Sequence, residues 1–200
     1  MKTDKLLIFC IVIWFLLFSF LISMYCKFKK PEIIEEEIIP IEIVVVEEEK
    51  DIKQLAIDFC KYDYSKKIAE EVIFQCEKYN LPVYVVYAII YTESEFKSKA
   101  LSNKSCRGLM QVSEACLQDY NNKHTEQYTF DEMYDVRKNL QVGIWHYQRY
   151  RKYVENDNWV ALYAIYNNGL TGYKKFGTEN IKSAVERFEF YLEKMEIYFC

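Results

Sequence analysis

From Leu6 to Cys26, 21 consecutive residues carry no charge, and only Ser19 and Ser23 interrupt the apolar run. As a helix rising about 1.5 Å per residue, this stretch reaches about 31 Å, enough to cross a bilayer core. Lys2 and Lys5 precede it, Lys27, Lys29 and Lys30 follow, and Tyr25 falls where an amphipathic ring favours the interface. Residues 1–30 are therefore expected to be an N-terminal membrane anchor (or uncleaved signal) whose single transmembrane helix spans residues 6–26. The run ends Ile22-Ser23-Met24-Tyr25-Cys26, with no Ala-x-Ala-like site and no small residue before Cys26, so the anchor is read as uncleaved. The flanking lysines are nearly balanced and do not set its orientation.

Residues 31–50 alternate glutamate clusters (Glu35 to Glu37, Glu47 to Glu49) with β-branched runs such as Ile41 to Val46. Low complexity and two prolines read as an acidic juxtamembrane linker, although a strand pairing elsewhere has the same pattern. From Asp51 the periodicity is helical. Ile68, Val72, Cys76 and Tyr79 form one apolar stripe. Asn80-Leu81-Pro82 breaks it, and Pro82 suits the first turn of a new helix. That helix, Val83 to about Phe96, is apolar nearly all round from Val83 to Tyr91, which predicts a core helix. Near the C-terminus, Ile181, Val185, Phe188, Leu192 and Met195 recur at helical spacing and predict a closing helix, or a docking face for a partner.

Composition supports a folded, mostly α domain over residues 51–200. Apolar residues make up 51% of the chain, so wholesale disorder is excluded. Only 5 Gly and 3 Pro argue against turn-dense sandwiches and barrels. The net charge is −4, and the basic footprint of a nucleic-acid binder is missing. A near-neutral body favours a substrate recognised by hydrogen bonding and stacking.

Chemistry concentrates where the core helix ends, in Thr92-Glu93-Ser94-Glu95-Phe96. Burial at a helix end penalises a charged carboxylate and raises its pKa, which prepares a general acid. The same glutamates could equally be solvated at a frayed end. Glu95, two residues on, lies about 200° around the helix from Glu93 and should point away from it. Two later blocks complete the pattern: Gly108-Leu109-Met110-Gln111, and Ala164-Ile165-Tyr166-Asn167-Asn168-Gly169, with Asn139 to Gly143 and Tyr147 between them.

Together with Ala100-Leu101-Ser102, these ordered blocks resemble the lytic transglycosylase domain of the soluble-transglycosylase (SLT) type, related to goose-type lysozyme, over about Tyr64 to Tyr173. Ser105 and Cys106 depart from the family's usual Gly-Ala, and Glu114 from a common proline. The resemblance implies a lysozyme-like helical fold behind the anchor and peptidoglycan glycan strands as substrate. It implies that Glu93 alone acts as acid and base, with no cofactor and no metal. Cleavage of the N-acetylmuramic acid to N-acetylglucosamine bond would then leave 1,6-anhydro ends. Ser94, Met110, Gln111, Tyr166 and Asn167 are implied to contact the sugar or the acid, with a phenol orienting the carboxyl group. The domain would face the cell wall outside the cytoplasm, with partners in secretion, conjugation or phage assembly. A hydrolase of the same fold, or a glycan-binding module without turnover, remains an alternative. The placement of Asp131, Glu132 and Asp135 does not follow from the pattern.

Of 7 cysteines, Cys106 and Cys116 flank the Gly-Leu-Met-Gln block and form a candidate disulfide, with free thiols the other reading. His124 and His146 have no metal-like spacing and read as ordinary polar positions.

Overall fold

The structure, a computed structural model, describes residues 17–21, 23–24 and 51–200. The chain forms two compact units, residues 1–46 and 47–200. In the first, residues 17–21 and 23–24 are helical and exposed. The rest of the expected span over 6–26 and the linker over 31–50 lie outside the described residues. Among the described residues no helix is long and apolar enough to cross a membrane.

The second unit is mostly helical. Asp51 caps α1 (Ile52–Phe59) by accepting from the amides of Lys53 and Gln54. In α2 (Ser65–Tyr79) the stripe Ile68, Val72 and Cys76 is buried, and Asn80 closes the helix at a left-handed φ of 50°. Pro82 is the cap of α3 (Val83–Ser94), one position before the first turn. Val85 to Ile90 are all buried, so α3 is the core helix its composition predicts. The remaining helices are α4 (Glu114–Asn121), α5 (Val136–Gln148), α6 (Trp159–Phe176) and α7 (Lys182–Phe199). Among the described residues there are no strands, only two isolated antiparallel bridges, Leu101 to Arg107 and Arg107 to Val112.

Two apolar clusters organise this unit. The larger gathers α1, α2 and α3 with Leu109, Met110, Leu140, Leu162, Tyr163 and the inner face of α7. The smaller joins α4, Met133 and Val142, with Tyr128, Phe130 and Trp145 packed against it. The closing helix α7 is bound into the larger core: Val185, Phe188 and Met195 are buried, and α3 is its main packing partner.

The end of α3 is sharper than its sequence suggests. The helix stops at Ser94, and Glu95 and Phe96 both turn left-handed, at φ 51° and 62°. That conformation is costly for residues with a Cβ and needs support from its surroundings. Phe96 supplies some, buried against Phe59, Tyr87 and Tyr91. Tyr64 supplies more: its hydroxyl donates to the Phe96 carbonyl at 2.8 Å and accepts from the Ser98 amide at 3.2 Å. The turn that presents Glu93 is thereby tied to the start of α2.

Candidate active site

Glu93 occupies the last turn of α3 and is half-buried in the wall of a cavity of about 580 Å³. That volume falls within the range of small-molecule sites, about 300–1,000 Å³. Four of the six residues expected at the site share this cavity: Glu93, Gln111, Tyr166 and Asn167. Burial pushes the Glu93 pKa upward, because the charged form loses its water. Three groups oppose this by favouring the anion: the Tyr163 hydroxyl, the Asn167 side chain and, more weakly, the positive charge of Arg187. The Tyr163 hydroxyl donates to Glu93 Oε1 at 2.8 Å.

Tyr163, not Tyr166, is thus the phenol that meets the carboxyl group. It lies four residues before Asn167 on α6, so both project from one face of the helix toward Glu93. That spacing was the available signal, and it points away from the tyrosine adjacent to Asn167. Tyr163 is buried and stacks on Phe188 of α7, ring centroids 4.2 Å apart at 11°. The amphipathic C-terminal helix therefore backs the site. Tyr166 instead donates its hydroxyl to the carbonyl of Met110.

Ser94 and Met110 are not offered to the cavity as side chains. Ser94 follows Glu93 by about 100° around the helix, which turns it inward; it is buried and its hydroxyl bonds back to the Ile90 carbonyl at 3.1 Å. Met110 is fully buried against Gly143, where an added Cβ would meet its sulfur at 2.6 Å. Both are packed behind the wall, and neither lines the cavity.

The turn carrying Gln111 is clamped from α5. Asn139 accepts from the Met110 amide and donates to the carbonyls of Arg107 and Met133, each at 2.8 Å. Gly108 sits at φ +75°, and a Cβ there would lie 2.2 Å from the Met133 carbonyl and 2.3 Å from Asn139 Nδ2. Only glycine meets both demands. Gln111 in turn donates to the Gly108 carbonyl at 2.9 Å.

Other carboxylates are accounted for elsewhere. Glu95, in the left-handed turn past the end of α3, is exposed, paired with Lys97 at 2.9 Å and Arg187 at 3.2 Å, and does not line the cavity. Asp131 pairs with Arg107 at 2.6 Å, Glu132 closes a capping box with Thr129 and pairs with Lys138, and Asp135 caps α5. Lys138 first, then the Thr129 bonds, hold Glu132 down to about 2. Among the described residues lining the cavity, Glu93 is the one carboxylate. Cys106 and Cys116 both line it as free thiols, the second of the two readings open for this pair. His146, read as an ordinary polar position, lines it too. Among the described residues no group of His, Cys, Asp and Glu is arranged to hold a metal ion.

The Transglycosylase SLT domain family matches the chain over residues 71–187, which takes in Glu93 and all three sequence blocks. A comparison with curated proteins finds no match.

Proposed function

The chain belongs to the transglycosylase SLT domain family, whose members act on peptidoglycan, and from that premise we propose that Glu93 is its catalytic acid and base. The protonated carboxyl delivers its proton to the glycosidic oxygen between N-acetylmuramic acid and N-acetylglucosamine as the bond to the anomeric carbon breaks. Glu93, now an anion, is held by the Tyr163 hydroxyl and by Asn167. It then takes the proton of the muramyl 6-hydroxyl, whose oxygen closes onto the anomeric carbon. The products are a free 4-hydroxyl and a 1,6-anhydro end, and Glu93 recovers its proton.

One observation carries this reading. The cavity presents a single carboxylate among the described residues, its pKa raised by burial and its anion favoured by the Tyr163 hydroxyl and Asn167. Ordinary glycosidases place two carboxyl groups about the scissile bond, about 5–9.5 Å apart. A substrate that carries its own nucleophile needs one.

We further propose that residues 6–26 anchor the chain in a membrane and that residues 51–200 act outside the cytoplasm on the wall. Local opening of the wall would serve growth, secretion, conjugation or phage passage. The apolar run and the peptidoglycan substrate of the family support this. A reporter fused after Cys200 should be active only outside the cytoplasm; activity inside refutes the orientation.

The chemistry is tested by digesting purified peptidoglycan with the full chain, wild type beside Glu93→Gln, and analysing the products by mass spectrometry. Anhydro-muramyl ends made by the wild type and absent with the variant are the expected result. Reducing ends would establish a hydrolase, and binding without cleavage a glycan-binding module.

A further inference from the structure

We infer that His146 is a saccharide-binding residue of this cleft, presenting one imidazole N–H to an acetamido carbonyl or hydroxyl oxygen of the glycan. The inference rests on the cleft being the glycan site. It does not depend on the cleavage chemistry.

The helix repeat puts His146 there. It follows Gly143 by three residues and Asn139 by seven, so all three share one face of α5. Asn139 clamps the 107–110 turn by hydrogen bonds and Gly143 by contact with Met110. One turn further along the same face, His146 reaches the cavity that Glu93 lines. Its ring is walled by Tyr150, centroids 5.2 Å apart at 87°, and by Tyr166, 5.7 Å at 66°. The imidazole is packed among aromatic rings.

Among the described residues no hydrogen bond engages this ring. Nδ1 is buried and has no partner among the described residues. Burial first, then the charge of Arg149 on the next turn, lower the pKa to about 4, with Asp119 of α4 pulling the other way. At neutral pH the ring therefore carries a single proton. A buried N–H without an acceptor costs more than a buried lone pair, which places that proton on Nε2. A neutral donor suits an uncharged sugar.

Most other polar groups of the cleft are already engaged. The Gln111 amide nitrogen donates to Gly108, the Tyr166 hydroxyl to Met110, and Ser102 and Ser113 accept from the amides of Cys106 and Cys116. His146 is a polar side chain packed between aromatic rings, with no hydrogen bond to its imidazole among the described residues. A cleft that must bind an oligosaccharide cannot leave such a group idle when the ligand arrives.

The test is binding of a peptide-free strand of alternating N-acetylglucosamine and N-acetylmuramic acid to the full chain carrying Glu93→Gln, measured by calorimetry, with His146→Phe and His146→Gln added in turn. The Phe variant keeps the ring and loses the donor; the Gln variant restores an N–H. We expect Phe to weaken binding about five- to tenfold, the worth of one neutral hydrogen bond, and Gln to recover most of it. In the active chain KM should rise by the same factor with kcat within about twofold. If the Phe variant binds as its parent does, His146 is only wall and the inference falls while the glycan site stands. Equal weakening by Phe and Gln with a matching loss of melting temperature also overturns it, as a packing role. If the parent binds no glycan, both this inference and the reading of the cleft fall.

Discussion

Tyr163→Phe removes one oxygen atom from a buried, stacked ring and leaves the packing on Phe188 in place. The atom removed is the hydroxyl that donates to Glu93 Oε1 at 2.8 Å. A hydrogen bond to a charged partner contributes about 1.5–3 kcal/mol, and this one favours the anion of Glu93 over the acid. The direction of the effect follows. Burial already raises the Glu93 pKa, and loss of a bond that lowers it moves the pKa further up. In the transition state the carboxylate develops as the proton leaves, so the lost stabilisation appears in kcat as a fall of about ten- to a hundredfold. KM should change little, since the bond lies within the protein. The alkaline limb of the pH–rate profile, where the protonated acid is lost, should move to higher pH. The assay is release of anhydro-muramyl products from purified peptidoglycan across a pH series, with melting temperature as a control. An unchanged kcat, or a limb that stays in place or moves down, would refute the assignment of Tyr163 as the group that holds the carboxylate. A fall in kcat with no movement of the limb would mean that the ring acts through packing alone.

Further outcomes follow from the same geometry. Because the folded-state pKa of Glu93 is raised, its contribution to stability is fully present below the unfolded value and is lost as pH rises through the folded one. Glu93→Gln should therefore melt higher than wild type at neutral pH, by about 2–4 °C for each kcal/mol regained, and the gap should close in acid; a lower melting temperature at neutral pH contradicts the buried-acid reading. Gly108→Ala places a Cβ 2.2 Å from a backbone oxygen at a positive φ and should cost more than about 2 kcal/mol, measured by denaturant unfolding. In thiol labelling of the native chain, Cys106 and Cys200 should react first among the described thiols. Cys76, whose thiol burial pushes up to about 12, and Cys116, also raised by burial, should lag until the chain is unfolded. Alkylation of Cys106 should block turnover by filling the cleft, and Cys106→Ser should be resistant; inhibition that persists in the variant would place the effect at another thiol.

Local chemistry determined a good deal of this protein. The stripe Ile68, Val72 and Cys76 sits at helical spacing and is buried, because one face of a helix must find an apolar partner. Val85 to Ile90 have no polar face to show to water, so α3 had to be the centre of the domain. Glu93 and Glu95 part as expected, one in the cavity wall and the other exposed, although the left-handed turn after Ser94 and not a continuing helix places Glu95. What depends on which helices pack together was not readable in this way. The end of α3 is decided by Tyr64, some thirty residues earlier in the chain, holding the carbonyl of a left-handed Phe96. The four-residue spacing of Tyr163 and Asn167 puts them on one face of α6, but whether that face meets Glu93 depends on the rotation of α6 against α3. Asp131, Glu132 and Asp135 are each drawn off by a cation or a cap that local spacing does not reveal for Asp131, whose partner Arg107 is 24 residues away. His146 reaches the cavity because Asn139 and Gly143 bring α5 against the 107–110 turn. Helix period and burial are properties of a segment, whereas a site is a meeting of segments, and only the packed chain decides which side chains arrive together.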